Sequence, residues 1–307
     1  MAVIRKKIMG PPGTGKTYRL VNYYLNKEIN ELHTDSKKIA YVTFSKAAAL
    51  DGSVKIEKVF PGLELLYVST LHGIGTKELG INTKEKLLKG KKWKQFKNVF
   101  PIYSAVNFDT FINENGTTIH QDKNLQVINY ARAKLISLEE SSIQLNYHQG
   151  AVDRDIEYYK KSNVMYEFSD MIKLFVEEKK HLALDAIFLD EAQDLNPLQW
   201  DMFFYIESKC KRSYIAGDDD QTIYNFQGAD SNIFIDLEGE RDDQEISHRV
   251  PKAIHRKALE ILPYINKRVD KKWYPKNEEG ELIENCFLED LDFNKGEWMI
   301  LATTNKL

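Results

Sequence analysis

The chain has 307 residues, enough for about two domains, and 42% of them are apolar, ample for a buried core. The net charge of −3 excludes a uniformly basic nucleic-acid binder, so any contact with a polyanion has to come from local basic and aromatic groups. Its two cysteines, Cys210 and Cys286, lie too far apart in sequence for a metal-ligand pattern and form no disulfide framework, which fits a reducing cytoplasm. No apolar run reaches 18 residues and the start lacks a secretory apolar stretch, so the expectation is a cytoplasmic protein with no membrane partner.

Ala2 to Met9 is short and apolar-rich and predicts a first buried strand. A glycine loop follows, and Lys16 to Leu25 is expected to open a helix behind it. Lys38 to Phe44, Leu65 to Val68, Ala183 to Leu189 and Arg212 to Ala216 predict four more strands. Strands separated by helical stretches, with polar loops after them, predict a doubly wound parallel sheet of the α/β class. Gly75 to Met165 interrupts the series with a Lys- and Asn-rich segment. Apolar positions of helical spacing run from Leu125 to Leu138 within it. After Glu245 a new unit starts, with a helix expected over Pro251 to Ile265 and a strand over Trp298 to Ala302.

Gly10-Pro11-Pro12-Gly13-Thr14-Gly15-Lys16-Thr17 fits the pattern G-x-x-x-x-G-K-[ST] between a predicted strand and a predicted helix. Gly13 and Gly15 let the backbone curl its N–H groups toward phosphate oxygens, and the positive helix end adds to this. Lys16 supplies a point charge for the β- and γ-phosphates, and Thr17 a hydroxyl for Mg²⁺. The strand Ala183 to Leu189 ends in Asp190 and Glu191. Asp190 can hold Mg²⁺ and Glu191 can orient and deprotonate an attacking water. Taken alone, such a pair could also be the acidic start of a helix.

Asp190-Glu-Ala-Gln-Asp194 resembles the D-E-x-Q-D box of UvrD/Rep-like superfamily 1 DNA helicases, and Gly217-Asp-Asp-Asp-Gln221-Thr-Ile-Tyr224-Asn-Phe226-Gln227-Gly-Ala229 resembles their motif III. Further pieces agree in order: Tyr41 to Ala48 is similar to motif Ia, Ser69 to Gly73 to motif Ib, and Ile246 to Pro251 to motif IV. Phe168 to Met171 is similar to the acidic helix before the Walker B strand. An AAA+ ATPase shares the phosphate loop but not the run from Gly217 to Ala229, and a GTPase would carry an N-K-x-D box that is missing here.

The resemblance implies a RecA-like P-loop core built from residues 1–75 and 166–243, a mostly helical inserted domain over 76–165, and the beginning of a second RecA-like core over 244–307. It implies a single-stranded-DNA-dependent ATPase and helicase of 3′-to-5′ polarity, using ATP and Mg²⁺ and engaging single strands and duplex/single-strand junctions. Lys16, Asp190, Glu191, Gln221 and Arg249 would be catalytic. Gln221 would touch the γ-phosphate and the attacking water, Arg249 would act as an arginine finger, and Gln193 would couple the nucleotide site to the strand path. Phe44, Thr70, His72, Tyr224 and Phe226 would line that path, the aromatic rings stacking on bases. For Tyr224 and Phe226 core packing is the competing reading, and for His72 a structural role.

Three departures stand out. Gln227 occupies the usual arginine position of motif III, Ser247-His248 replaces the Asn-Tyr of motif IV, and no room precedes Gly10 for an adenine-reading glutamine motif. The family's motifs V and VI do not fall within these residues, so an N-terminal motor portion with an incomplete second core is expected. A helicase–nuclease motor and a non-motor, ATP-responsive single-strand binding module are the alternatives. One further run stays open: eight lysines against two glutamates between Lys77 and Lys97, with Trp93 and Phe96 interleaved, suit either nucleic-acid contact or a solvated helix face.

Overall fold

The computed structural model describes residues 3–106, 108, 110–112, 118–120, 122–147 and 152–284, with a few single positions beyond. The chain runs β1 (Ile4–Met9), α1 (Lys16–Tyr18), β2 (Ile39–Thr43), α2 (Lys46–Val59), β3 (Tyr67–Thr70) and α3 (Leu71–Glu78). Then come α4 (Thr83–Lys86), α5 (Lys91–Val99), the hairpin β4 (Thr110–Ile112) and β5 (Thr118–His120), α6 (Lys123–Lys134), α7 (Leu138–Gln144), α8 (Val152–Asn163) and α9 (Phe168–Glu177). Finally β6 (Ala186–Asp190), α10 (Pro197–Glu207), β7 (Arg212–Gly217), α11 (Ser231–Asp236), β8 (Glu240–Asp243) and α12 (Lys252–Ile261) complete it. The helix opened by α1 continues in π-type form through Arg19–Leu25 and Lys27–Glu31.

Six strands form one parallel sheet in the order β3-β2-β6-β7-β1-β8, flanked by helices in the RecA-like manner. Side chains alternate across each strand. Ala40, Val42, Ile187, Leu189 and Ile215 face one cluster with Ile74, Phe175, Trp200, Phe203 and Phe234. Ile39, Tyr41, Ala186, Phe188, Tyr214 and Ala216 face the other, packed by Leu20, Val21, Leu25 and Ile56. Burial on both faces explains why these strands read as continuous apolar runs.

Five of the strands were legible in that way; β8 was not. Its sequence is Glu-Arg-Asp-Asp, and it holds the sheet edge beside β1. Its charges are answered by partners rather than hidden: Asp242 accepts from Arg19 Nε and the Tyr24 hydroxyl, both at 2.7 Å. The helix read over Leu125 to Leu138 stops at Lys134, because Leu135 turns left-handed at φ 55°, and Ser137 caps a separate α7. The expected strand from Trp298 to Ala302 lies outside the described residues. Among the described residues no helix is long and apolar enough to cross a membrane.

The segment between α3 and α9 packs around a cluster of its own, with Trp93, Phe96, Phe108, Leu125, Ile128, Ile156 and Tyr159. Trp93 is 2% and Phe96 0% exposed, and the Trp93 ring stacks on Phe108 at 4.8 Å. Of the two readings of this run, nucleic-acid contact through its aromatics does not hold: Trp93 and Phe96 are core, and the neighbouring Lys91 and Lys94 point outward around them as on a solvated helix face. Buried ion pairs fasten this segment to the sheet's helices. Lys160 of α8 reaches Glu157 at 2.8 Å, Glu167 at 3.1 Å and Asp170 at 2.9 Å, and Arg132 of α6 bonds Asp153 at 2.7 Å and also Glu167. Glu167 caps α9, whose carbonyl at Met171 would lie 2.8 Å from a Cβ at Gly75, so α3 and α9 touch backbone to backbone.

Removing a buried charge leaves its partners uncompensated. Lys160→Ala is expected to cost about 3 kcal/mol in urea unfolding. Lys55→Ala, which breaks an exposed pair with Asp51, should cost no more than about 0.5 kcal/mol.

Candidate active site

Parallel pairing places the carboxyl ends of all six strands on one edge, and the segments after β1, β2, β3, β6 and β7 carry the candidate residues there. The loop after β1 is tightly curled. A Cβ at Gly10 would lie 2.4 Å from Thr14 Oγ1, and Gly13 and Gly15 hold φ of 75° and 86°. Thr14 Oγ1 donates to the Pro11 carbonyl at 2.8 Å, and Lys16 Nζ folds over the loop to the Gly10 carbonyl at 2.8 Å. The ammonium thus sits where loop N–H groups and a helix start converge, the setting in which phosphate oxygens bind.

Thr17 Oγ1 donates to Asp190 Oδ2 at 2.7 Å, bringing the end of β6 to the loop. The Tyr41 hydroxyl donates to the same oxygen at 2.8 Å. Gly52 on α2 makes room for that ring, since a Cβ there would lie 2.7 Å from Tyr41 Cε1. Burial, then the neighbouring Glu191 charge, pushes the Asp190 carboxyl above its ordinary range, and the same burial and Asp190 push the Tyr41 phenol up. A bound cation would reverse the Asp190 shift.

Glu191 holds a left-handed φ of 56°, an uncommon backbone for a residue with a side chain. It is fixed by Gln193, whose Nε2 donates to Glu191 Oε2 at 2.9 Å while its Oε1 accepts from the Asp218 N–H at 2.9 Å. The Gln193 amide therefore joins the ends of β6 and β7. Gly217 is required for this, since a Cβ there would stand 2.8 Å from Gln193 Oε1. Next to it, Asp194 is buried with Oδ1 unbonded among the described residues, and burial followed by Glu191 raises its carboxyl to about 8. Gln221 donates its amide to Asp218 Oδ2.

Arg249 arrives from beyond β8. Ser247 Oγ donates to the Pro12 carbonyl at 2.8 Å and the His248 N–H to the Gly13 carbonyl at 2.9 Å. The Arg249 Cβ would lie 2.7 Å from a Cβ at Gly13, so the arginine stands against the phosphate loop with its side chain exposed. The sequence reading anticipated the arginine but not the docking of Ser247 and His248. It also missed Arg268 and Lys271, which pair with Asp218, Asp219 and Asp220. The only hint was opposite charge, a basic run from Lys267 to Lys272 answering three consecutive acids.

Of the five residues expected along a strand path, three come together. Phe44 and Tyr224 rings are 5.0 Å apart and Tyr224 and Phe226 6.3 Å, and Phe226 is 61% exposed. Thr70 and His72 sit at the end of β3 with other contacts. The Thr70 hydroxyl caps α3 through the Gly73 N–H at 3.1 Å, and the His72 ring meets Phe168 edge-on at 5.9 Å. Gln227, at the usual arginine position, points inward, its amide without a hydrogen-bond partner among the described residues.

Burial, with the Lys46 charge adding to it, lowers the His72 imidazole from its ordinary 6.5 to about 4. The unfolded chain then binds a proton that the folded chain refuses, so stability is full above about pH 6.5 and falls as pH drops toward about 4. His72→Gln should flatten that part of the slope. The difference in urea midpoint between pH 7 and pH 5 is the readout, and an unchanged difference would overturn the assignment of a half-buried ring held neutral.

A family model described as the UvrD/REP helicase N-terminal domain matches residues 5–242. The chain is 25% identical over 318 residues to the ATP-dependent DNA helicase PcrA of Bacillus subtilis (strain 168), covering 95% of this chain and 42% of that protein. It is 25% identical over 262 residues to the ATP-dependent DNA helicase Rep of Buchnera aphidicola subsp. Acyrthosiphon pisum, covering 74% and 37%. A PcrA of Staphylococcus aureus is 24% identical over 301 residues, covering 90% and 40%. The chain spans about two fifths of the length of these relatives. With more than three quarters of its length inside the family match, and with the phosphate loop, acid pair and motif III turn on one sheet edge, the chain belongs to the UvrD/REP helicase N-terminal domain family.

Proposed function

We propose that this chain is the ATP-binding portion of a DNA-dependent ATPase and helicase that moves along single-stranded DNA in the 3′-to-5′ direction and engages duplex/single-strand junctions in the cytoplasm. The reading divides it into a first RecA-like core (1–75 and 166–243), an inserted unit (76–165) and the beginning of a second core (244–307). The observation that carries it is the Gln193 amide, which ties Glu191 at the nucleotide side to the turn that leads to Tyr224 and Phe226.

The roles follow from position. The loop from Gly10 to Thr17 would wrap the phosphates, with Lys16 exchanging the Gly10 carbonyl for phosphate oxygen. Thr17 and Asp190 present hard oxygens 2.7 Å apart, a donor set that fits Mg²⁺ held by few protein ligands and by phosphates. Bound there, Mg²⁺ supplies neutralisation of the charge developing on the phosphates. Glu191 would accept the proton of the attacking water, Gln221 would orient that water, and Arg249 would stabilise the charge of the transferred group. Phe44, Tyr224 and Phe226 would grip bases by stacking, which needs no sequence preference. Thr70 and His72, at the end of β3, would support that edge rather than grip bases, the first as the cap of α3 and the second against Phe168.

Steady-state ATP hydrolysis, with and without single-stranded DNA, tests this. Glu191→Gln should cut turnover by at least about a hundredfold while ATP still binds, and Lys16→Ala should lose both. Phe226→Ala should weaken single-strand binding by about 1–3 kcal/mol at fixed salt. ATP and DNA binding without turnover would support a non-motor binding module instead, and absence of DNA binding would overturn the helicase reading for this chain.

A further inference from the structure

Three consecutive acids follow β7, and all turn inward: the Asp218, Asp219 and Asp220 side chains are 0%, 0% and 6% exposed. Three buried carboxylates in one turn stay ionised only if cations answer them. Two residues about fifty positions later do so. Lys271, its side chain 2% exposed, sets Nζ 2.6 Å from Asp218 Oδ1, 2.5 Å from Asp219 Oδ1 and 3.0 Å from Asp220 Oδ2. Arg268 grips both oxygens of Asp220 at 2.8 Å, and the Val269 N–H donates to Asp219 Oδ2 at 2.7 Å. Burial alone would push the Asp220 carboxyl up, but Arg268 and Lys271 hold it below its ordinary range.

The cluster is more than a fold staple because of where its bonds lead. Asp218 accepts from Lys271 Nζ at Oδ1 and from the Gln221 amide at Oδ2, so the lysine and the glutamine share one carboxylate. The same stretch of chain is also bound to the phosphate loop. The Tyr274 N–H donates to the Glu245 carbonyl and the Ser247 N–H to the Tyr274 carbonyl, while Ser247 and His248 hold Pro12 and Gly13. One strap, running from Glu245 to Tyr274, thus touches the loop that would hold the phosphates and the turn that bears Gln221.

We infer that Lys271 and Arg268 are positioning residues for Gln221: through Asp218 and Asp220 they fix the turn so that the glutamine amide is presented to a γ-phosphate bound at the loop. The inference rests on the nucleotide site proposed above. Its consequence is discrimination between ATP and ADP, since only ATP offers the group that Gln221 would meet.

The test compares ATP and ADP affinity, by calorimetry with Mg²⁺ present, for the chain and for Gln221→Ala, Lys271→Met and Arg268→Gln. Lys271→Met should lower ATP affinity by about tenfold, the scale of one hydrogen bond near charged groups, and leave ADP affinity unchanged. Combining it with Gln221→Ala should cost little more than either alone, because both remove the same contact, and Lys271→Arg should recover part of the preference. Equal losses for ATP and ADP, or additive effects in the double variant, would reduce the cluster to a structural role and overturn the inference. If Lys271→Met does not fold, Arg268→Gln, which keeps the lysine on all three acids, carries the same comparison. A wild-type chain that binds neither nucleotide is a separate outcome and overturns the nucleotide site itself.

Discussion

Buried polar groups at the end of a parallel sheet have no water to turn to, so they have to satisfy one another. In this chain that requirement falls on the gap between β6 and β7. The Gln193 amide spans it, giving its N–H to Glu191 and taking the Asp218 N–H. Gly217 keeps the space open, and the left-handed backbone of Glu191 turns its carboxylate toward the amide. Neither strand end could shift without breaking a bond in a region of low dielectric, where a lost bond is costly. The phosphate loop is joined to the same frame by Thr17 on Asp190.

Charge is handled differently on the two sides of this frame. Around Asp190 the surplus is negative: the Thr17 and Tyr41 hydroxyls and the Glu191 N–H donate to it and Lys16 adds an attractive charge, yet burial and the Glu191 charge still drive the carboxyl up, which suits it to meet a cation. Around Asp218 to Asp220 the surplus is answered from within the chain, by Lys271 and Arg268. One acidic group is thus left available to a ligand and the other is closed by the protein. The distinction could not be made from the two runs of acids themselves, which look alike on paper.

That difference marks how far the sequence could be read. Strands buried on both faces announce themselves as apolar runs, and β1, β2, β3, β6 and β7 were found within a few residues. The phosphate loop was legible because its spacing is tied to backbone geometry, and the run from Gly217 to Ala229 through its resemblance to a family motif. What escaped depends on partners distant in the chain. β8 is four charged residues whose strand state comes from pairing with β1 and from Arg19 and Tyr24. Trp93 and Phe96 sit in a lysine-rich run that looks like a surface, yet every third or fourth position faces inward. The grip of Lys271 on an acidic turn fifty residues earlier leaves no local trace beyond opposite charge.

The inserted segment meets the motif III turn at one narrow place. Gly228, at φ 90°, would put a Cβ 2.9 Å from that of Ala133 at the end of α6, and beside it Lys134 pairs with Asp230 at 2.6 Å. α6 is also held by Arg132 to the carboxylates that fasten α8 and α9. The turn bearing Phe226 is therefore wedged between the sheet and a helix that belongs to another core. Position 133 acts as a shim of fixed thickness: Gly228 leaves the space that the Ala133 methyl group fills, so a longer side chain at either position would have to move the turn that carries the exposed Phe226 ring.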